Sequence, residues 1–357
     1  MNEKKEDPKM KKMFSLILSA AMVLSLAACG NNSGNNAGGG SNAGGSNPSG
    51  GGAADGTTYE LKVSTTQTQT SMIYQGLQAA ADKVAADTDG HVKITIYDSS
   101  SLGAEEDMID QALQGMGIAV LTDAGRMSSY VNDMGIMNMA YFVENYEDGC
   151  KVMDTDTFKT WDEDLVKAGL RVLCYNYYDG ARSFMGPAEY KTPADLKGVV
   201  CRTPGADPYV KSIEALGATA YNIAWSEVYN SIQTKAIDAC EVQYTSAVSS
   251  KIYEVCDYVS KTEHINLFNF VVCGESWFNK LPAEYQQILK DDFFSCAYDN
   301  AKEIVAAQAD LEQQLIDGGM TIVEVDMDAF KEAAKAAYDQ LGWTDLREQL
   351  YAEAGIA

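Results

Sequence analysis

Histidine is almost missing from this chain: His91 and His264 are the two it holds in 357 residues, and no HExxH, CxxC or GxGxxG run is present. A zinc hydrolase or a histidine-based triad needs that imidazole as ligand or base, so both classes start at a disadvantage. Positive charge is also scarce, with 27 Lys+Arg against 51 Asp+Glu and a formal charge of -24. Nucleic acid and anionic lipid select basic surfaces and are poor partners for such a chain. Arginine is rarer still, at five residues: Arg126, Arg171, Arg182, Arg202 and Arg347. Apolar residues are not lacking: 46% hydrophobic against 22% charged supports a sizeable core. The length points to two domains, because single cores rarely grow past about 250 residues.

The N-terminus is read apart from the fold. Lys4, Lys5, Lys9, Lys11 and Lys12 form a basic region before an apolar stretch, 13–28, too short to span a bilayer comfortably. It ends in Leu26-Ala27-Ala28-Cys29, which resembles a bacterial lipobox: small residues admit the peptidase and the Cys29 thiol carries the lipid. Residues 1–28 are thus expected to be a lipoprotein signal peptide, and 29–56 a lipidated cysteine with a tether. Glycine supplies 11 of the 27 residues in 30–56, a composition that buries no core and behaves as a coil with a reach of roughly 30 Å. Removing five lysines and three acids (Glu3, Glu6, Asp7) with the leader takes the charge from -24 to about -26. The expected location is the extracytoplasmic face of the membrane. Seven cysteines remain at irregular spacing, several in apolar strand-like runs, and read as small buried hydrophobes rather than a disulfide framework.

From Thr57 onward short strand patterns alternate with helical ones. Strands are expected at 59–64, 92–97 and 118–122, with helices at 69–86 and 103–115; Glu105, Glu106 and Asp107 suit the first turn of the latter. This βαβαβ order implies a parallel or mixed sheet with helices on both faces. A second block repeats it: strands at 170–176, 198–203 and 219–223, helices at 207–216 and 226–233 with Ser226 as N-cap, and an apolar strand at 267–274. Pro282 opens a helical pattern reaching about residue 317, roughly 50 Å at 1.5 Å per residue, long enough to lie across two lobes. The chain is expected to cross between them more than once. Lobe I is assigned 57–178 plus about 266–300; lobe II, with the spanning helix, about 179–265 plus about 301–357.

Ligands of such α/β folds sit at the carboxyl ends of strands, in the cleft between lobes. Three arginines fall at positions of that kind. Arg202 precedes the turn Thr203-Pro204-Gly205, Arg182 follows the strand expected to end near Asn176, and Arg126 follows the turn Asp123-Ala124-Gly125. A guanidinium there offers a planar fork for a carboxylate. A structural ion pair with one of the 51 acids would use the same residue, and spacing alone leaves both readings open.

The run Lys197-Gly-Val-Val-Cys-Arg-Thr-Pro-Gly205, continuing through Ser212-Ile-Glu-Ala-Leu-Gly-Ala218 to Ala224-Trp-Ser-Glu-Val-Tyr229 and Ile232-Gln-Thr234, closely resembles the signature region of the solute receptors of tripartite ATP-independent (TRAP) transporters, the DctP-type family. Ser101-Leu-Gly103 with Met108-Ile-Asp-Gln111, and Leu281-Pro282 before a long helix, are similar as well. The resemblance implies a two-lobed Venus-flytrap α/β fold with mixed sheets, cross-over strands and a long helix spanning both lobes. It implies no enzyme activity and no cofactor or metal, but binding of a small organic acid whose carboxylate pairs with Arg202 in the Arg-x-Pro motif. A second family arginine matches Arg182. Trp225 would pack near the site or in the core. Asp123 and Arg126 complete the candidate ligand-binding set. Many family members read Gln-Thr-Gly-x-x-Asp-Gly-Gln-Glu-Asn-Pro where this chain has Gln233-Thr-Lys-Ala-Ile-Asp-Ala-Cys-Glu-Val-Gln243. Lys235 and Ala239 replace both glycines and Val242 replaces an asparagine that often touches ligand. Glu241 is retained, for the site or for the fold. The implied partners are the small acid and the permease subunits in the membrane, with hinge closure around the ligand. A receptor for an ATP-driven importer of a sugar or amine, and a sensor for a membrane kinase, are the alternatives.

Overall fold

The computed structural model describes residues 56–356; the expected signal peptide, Cys29 and nearly all of the tether lie outside them. Among the described residues nine strands form one mixed sheet: β1 (Tyr59–Ser64), β2 (Val92–Tyr97), β3 (Ile118–Asp123), β4 (Leu170–Gly186), β5 (Val200–Thr203), β6 (Thr219–Asn222), β7 (Ala239–Gln243), β8 (Tyr258–Gly274) and β9 (Thr321–Val323). Their order is β2-β1-β3-β8-β4-β7-β5-β6, with β9 beside β8. The β1/β2, β1/β3, β5/β6 and β5/β7 pairs are parallel, as helical crossovers require. The long strands β4 and β8 run antiparallel to each other at the centre, from Leu170 opposite Gly274 to Gly186 opposite Tyr258.

Local sequence explains the first block. Ser71 caps helix Met72–Asp87 by accepting from the Tyr74 amide, and Ile73, Leu77, Ala80, Ala81 and Val84 form its buried stripe. All six residues of β3 are buried, as a strand covered on both faces should be. The helix after Pro282 runs Ala283–Asp317, 35 residues. Its Phe293, Ala297 and Ile304 pack into a large core drawn from residues 61–178, 268–304 and 337–350. Its Leu311 and Leu315 pack into a separate core with Val228, Ile232 and Val242. One helix therefore serves both lobes of the fold.

Three expectations are corrected. Strands β4 and β8 are each 17 residues long, so Arg182 lies within a strand rather than after one. Polar residues such as Asn176, Asp179, Ser183, Thr262 and His264 interrupt the apolar pattern that marked the shorter segments, yet all are buried. The Asp123-Ala124-Gly125 turn is the start of a short helix, Ala124–Met127, capped by Asp123. Ser226 is not an N-cap: helix Trp225–Gln233 begins one residue earlier, after Ala224, with no side-chain cap. The seven body cysteines are unpaired, and Cys174, Cys201, Cys240, Cys256 and Cys273 are buried.

Candidate ligand-binding site

A cavity opens where several strands end. Thr66 and Gln67 follow β1, Asp123 closes β3, Arg202 and Pro204 end β5, and Val242 and Gln243 end β7; all line it. The long strands add Asp179 and Arg182 from β4, Leu267 and Asn269 from β8. This is the strand-end position expected of a ligand cleft.

Arg202 is 4% exposed. Its Nε donates to the Ile223 carbonyl at 3.1 Å, and its guanidinium lies 5.4 Å from the centre of the Trp225 ring. No carboxylate oxygen of the described residues lies within 4 Å of it, and its two Nη groups have no hydrogen-bond partner among them. Burial, and then the like charge of Arg182, push its pKa down to about 10. A buried cation lacking a counter-ion is costly unless something supplies one.

Arg182 is different. Its Nε and Nη2 grip the two Glu241 carboxylate oxygens, Nη2 also donates to the Glu241 carbonyl at 2.6 Å, and Nη1 reaches Gln243 Oε1 at 3.3 Å. Glu241 is fully buried in β7 opposite Phe184. It also accepts from Thr203 Oγ1 at 2.7 Å and lies 3.3 Å from His264 Nε2. Burial would raise its pKa, but Arg182 and then His264 hold it down to about 2. Glu241 stands behind Arg182 and does not line the cavity.

Arg126 is also matched, with Asp123 at 2.6 Å and Glu105 and Glu106 each at 3.1 Å. Burial pushes the Glu105 carboxyl up to about 7, against the pull of Arg126. Trp225 is half-buried on the cavity wall and donates Nε1 to Ser250 Oγ at 3.3 Å. The cavity thus gathers Arg202, Arg182, Trp225, Asp123 and Arg126.

Sequence reasoning passed over several lining residues: Gln67, Glu105, Asp179, Tyr209, Gln243, Ser246 and Asn269. Thr66 and Gln67 could have been found from the strand-end rule that selected Arg202. Asp179 accepts from Gln67 and Gln243, both at 3.1 Å, and from Thr245 at 2.5 Å. Burial raises it to about 6 despite those donors. Next to it in sequence, Gly180 at φ +93° marks a register shift in β4. The Tyr209 hydroxyl and the Asn269 amide nitrogen are buried without a hydrogen-bond partner. Gly125 lets the Tyr209 ring sit against the capped helix, since a Cβ there would lie 2.6 Å from it. Val242 lines the wall where the family pattern has asparagine.

Residues 63–343 match the family model described as bacterial extracellular solute-binding protein, family 7. The chain belongs to that family. A solute-binding protein of Chromohalobacter salexigens is 31% identical over 275 residues, 74% of this chain and 80% of that one. Among solved structures, a TRAP periplasmic solute-binding protein of Escherichia fergusonii, in an apo open form, is 30% identical with a TM-score of 0.73, covering 83% of this chain and all of that one. A TRAP periplasmic solute-binding protein from Ochrobacterium anthropi with bound L-fuconate is 25% identical with a TM-score of 0.81, covering 84% of this chain and all of that one. Family 7 members are solute-binding receptors, not enzymes. No helix among the described residues is long and apolar enough to cross a membrane.

Proposed function

We propose that this chain is the extracytoplasmic receptor of a TRAP transporter, held to the membrane by lipid on Cys29, which binds a small organic acid and delivers it to the permease subunits. One observation carries the ligand class: Arg202 is a buried guanidinium with no carboxylate oxygen of the described residues within 4 Å. An incoming carboxylate supplies the missing charge through a bidentate pair with the two unpartnered Nη groups. Trp225 backs the guanidinium face. Arg182 and Glu241 act together as the support that fixes Thr203, the residue after Arg202. Asp123 and Arg126 form part of the wall. The Ochrobacterium relative's sugar-acid ligand is in keeping with a carboxylate on that anchor.

A thermal-shift panel of carboxylates against size-matched neutral sugars tests this reading. Ligand at about a hundred times its Kd should add roughly 2.7 kcal/mol to unfolding. Acids should raise the melt of the wild type and leave that of an Arg202→Lys variant unmoved. A panel in which only neutral sugars bind would refute the assignment.

A further inference from the structure

Residues 65–67, between β1 and helix Met72–Asp87, are held by an unusual turn. Ser99 and Ser100, just past β2, adopt left-handed backbone with φ of +53° and +56°, a conformation uncommon for one non-glycine residue and rarer for two in succession. Their amides donate to the Gln67 and Thr65 carbonyls, both at 2.9 Å, and the Gln67 amide donates to Thr65 Oγ1 at 3.1 Å. Strain of this kind persists where surrounding contacts impose it, and it gathers at functional sites. Here it fixes the backbone from which the Gln67 side chain leaves one lobe for the other.

Gln67 belongs to the first lobe, because β1 and the helix after it pack Leu61, Val63, Ile73 and Leu77 into the large core. Its Nε2 donates to Asp179 Oδ2 at 3.1 Å and to Ser246 Oγ at 3.4 Å. Asp179 lies on β4 where that strand passes from one core to another. Gln243 Nε2 at 3.1 Å and the Thr245 hydroxyl at 2.5 Å tie it to the second lobe, where Val242, Tyr244 and Ala247 pack with Leu311 and Leu315. Arg182 Nη1 donates to Gln243 Oε1 at 3.3 Å and so orients that amide with its nitrogen toward Asp179. Gln67, Asp179, Gln243 and Thr245 are all buried. Ser99, Ser100, Trp225 and Tyr229 line a second opening that shares Thr66 with the cavity. No hydrogen bond among the described residues joins the two serines to Trp225 or Tyr229, so on this side the lobes are joined at Gln67.

We infer that Gln67 and Asp179 form a clasp that draws the lobes together without ligand, so that the empty receptor populates a closed arrangement. Gln67 is then a positioning residue: it sets how often the cavity walls stand in their binding geometry. A neutral amide donating to a carboxylate makes a charge-assisted bond. Both partners are oriented beforehand, Gln67 by the strained turn and Asp179 by Gln243 and Thr245, which reduces the ordering cost of closure. A hydrogen bond to a charged group shifts an equilibrium by roughly 10- to 150-fold. A ligand that needs the closed form finds it already populated, and loss of the clasp weakens its affinity by that factor at most. Closure of this kind is independent of which solute the cavity takes.

The test is single-molecule energy transfer on the full chain in mild detergent, with native mass spectrometry confirming that the cavity is empty. Dyes are attached through azide-bearing residues placed at Lys93 and Thr219, exposed positions on β2 and β6 at opposite ends of the sheet order. The empty wild type should show a compact and an open population, and Gln67→Leu should lower the compact-to-open ratio tenfold or more with the melt unchanged. Gln67→Glu sets a like charge against Asp179, whose pKa is raised to about 6 by burial and which is ionised at pH 8. The compact population should be lost there and return at pH 5, where one carboxyl is protonated and donates to the other; that of Gln67→Leu should not return. If Gln67→Leu does not fold, Gln67→Glu at the two pH values carries the readout. An empty wild type that is open throughout, or a ratio that Gln67→Leu leaves unmoved, would overturn the clasp. Neither result depends on added ligand, so a carboxylate panel that fails would remove the receptor's ligand class and leave these ratios as they stand.

Discussion

Replacing Arg202 by methionine separates a binding residue from a structural one. Methionine keeps an unbranched stem of similar reach and takes away the charge. Burial and Arg182 depress the guanidinium from 12.5 to about 10, which at about 1.4 kcal/mol per pH unit makes the charged form roughly 3 kcal/mol less favourable than in water. The substitution removes that cost. It also removes the bond to the Ile223 carbonyl, and hydrogen bonds from charged groups contribute about 1.5–3 kcal/mol. The two nearly cancel, leaving the ligand-free protein unchanged or up to about 1.5 kcal/mol more stable. At about 2–4 °C per kcal/mol for domains of around 200 residues, the melt should stay level or rise by a few degrees. Ligand affinity should meanwhile fall by 2–5 kcal/mol, the range for truncating a buried charge pair, or roughly 30- to 4,000-fold. Differential scanning calorimetry without ligand, and titration with an acid that binds the wild type, measure both. A ligand-free melt lowered by more than about 5 °C would mean that Arg202 holds the fold together, and the reasoning would fail.

The neighbouring arginine should behave in the opposite sense: Arg182→Ala leaves Glu241 buried and unpaired and should cost about 3–5 kcal/mol in a denaturant melt. Stability should also follow pH with a sign set by the cavity carboxyls. Glu105 and Asp179 are raised from 4.5 to about 7 and from 3.8 to about 6, so the folded state binds their protons more tightly than the unfolded chain. Their contribution is lost as pH rises from about 4 through 7. Glu241, lowered from 4.5 to about 2, contributes stability that is present above pH 4.5 and lost as pH falls toward 2. The ligand-free melt should therefore be higher at pH 5 than at pH 8, and Glu105→Gln should flatten that slope. Lys235 sits at φ +59° just past helix Trp225–Gln233, so Lys235→Gly should stabilise by about 0.5–1 kcal/mol, read from the denaturant midpoint. Cys29→Ser should abolish incorporation of labelled fatty acid and move the protein from the membrane pellet to the supernatant.

Where the sequence pattern was a product of burial alone, it could be read closely. Strands β1 and β2 fall where the alternation put them, and the helix after Pro282 ends at Asp317 as its spacing predicted. Strands β4 and β8 were underestimated for a reason tied to the site. Their central positions hold Asp179, Arg182, Thr262, His264 and Asn269, polar groups of the cavity or the Glu241 network, and Asn176, which donates to the Phe294 carbonyl; these polar residues break the apolar period. Arg202 was legible because its strand-turn context and family motif coincide. Glu105 was not, because an acid in the first turn of a helix is what the helix dipole already explains; only the fold brings Arg126 within 3.1 Å of it. Asp179 lacked any periodic signal, and the register shift beside it exists only in the paired strands.

Strands β4 and β8 also decide how this chain can be taken apart. The β4 strand leaves one core at Tyr178 and enters another by Phe184, while β8 makes the return journey from Ile265 to Phe268. Neither half of the molecule is a continuous length of polypeptide, and excising either would cut both strands in mid-ladder and expose their free edges. A deletion of one residue near Gly180 would be just as disruptive. Every side chain beyond it would turn to the opposite face of the sheet, taking Arg182 away from Glu241 and Phe184 out of its core. Insertions and fusions belong instead on surface turns such as that at Gly90, where an added Cβ would meet open space.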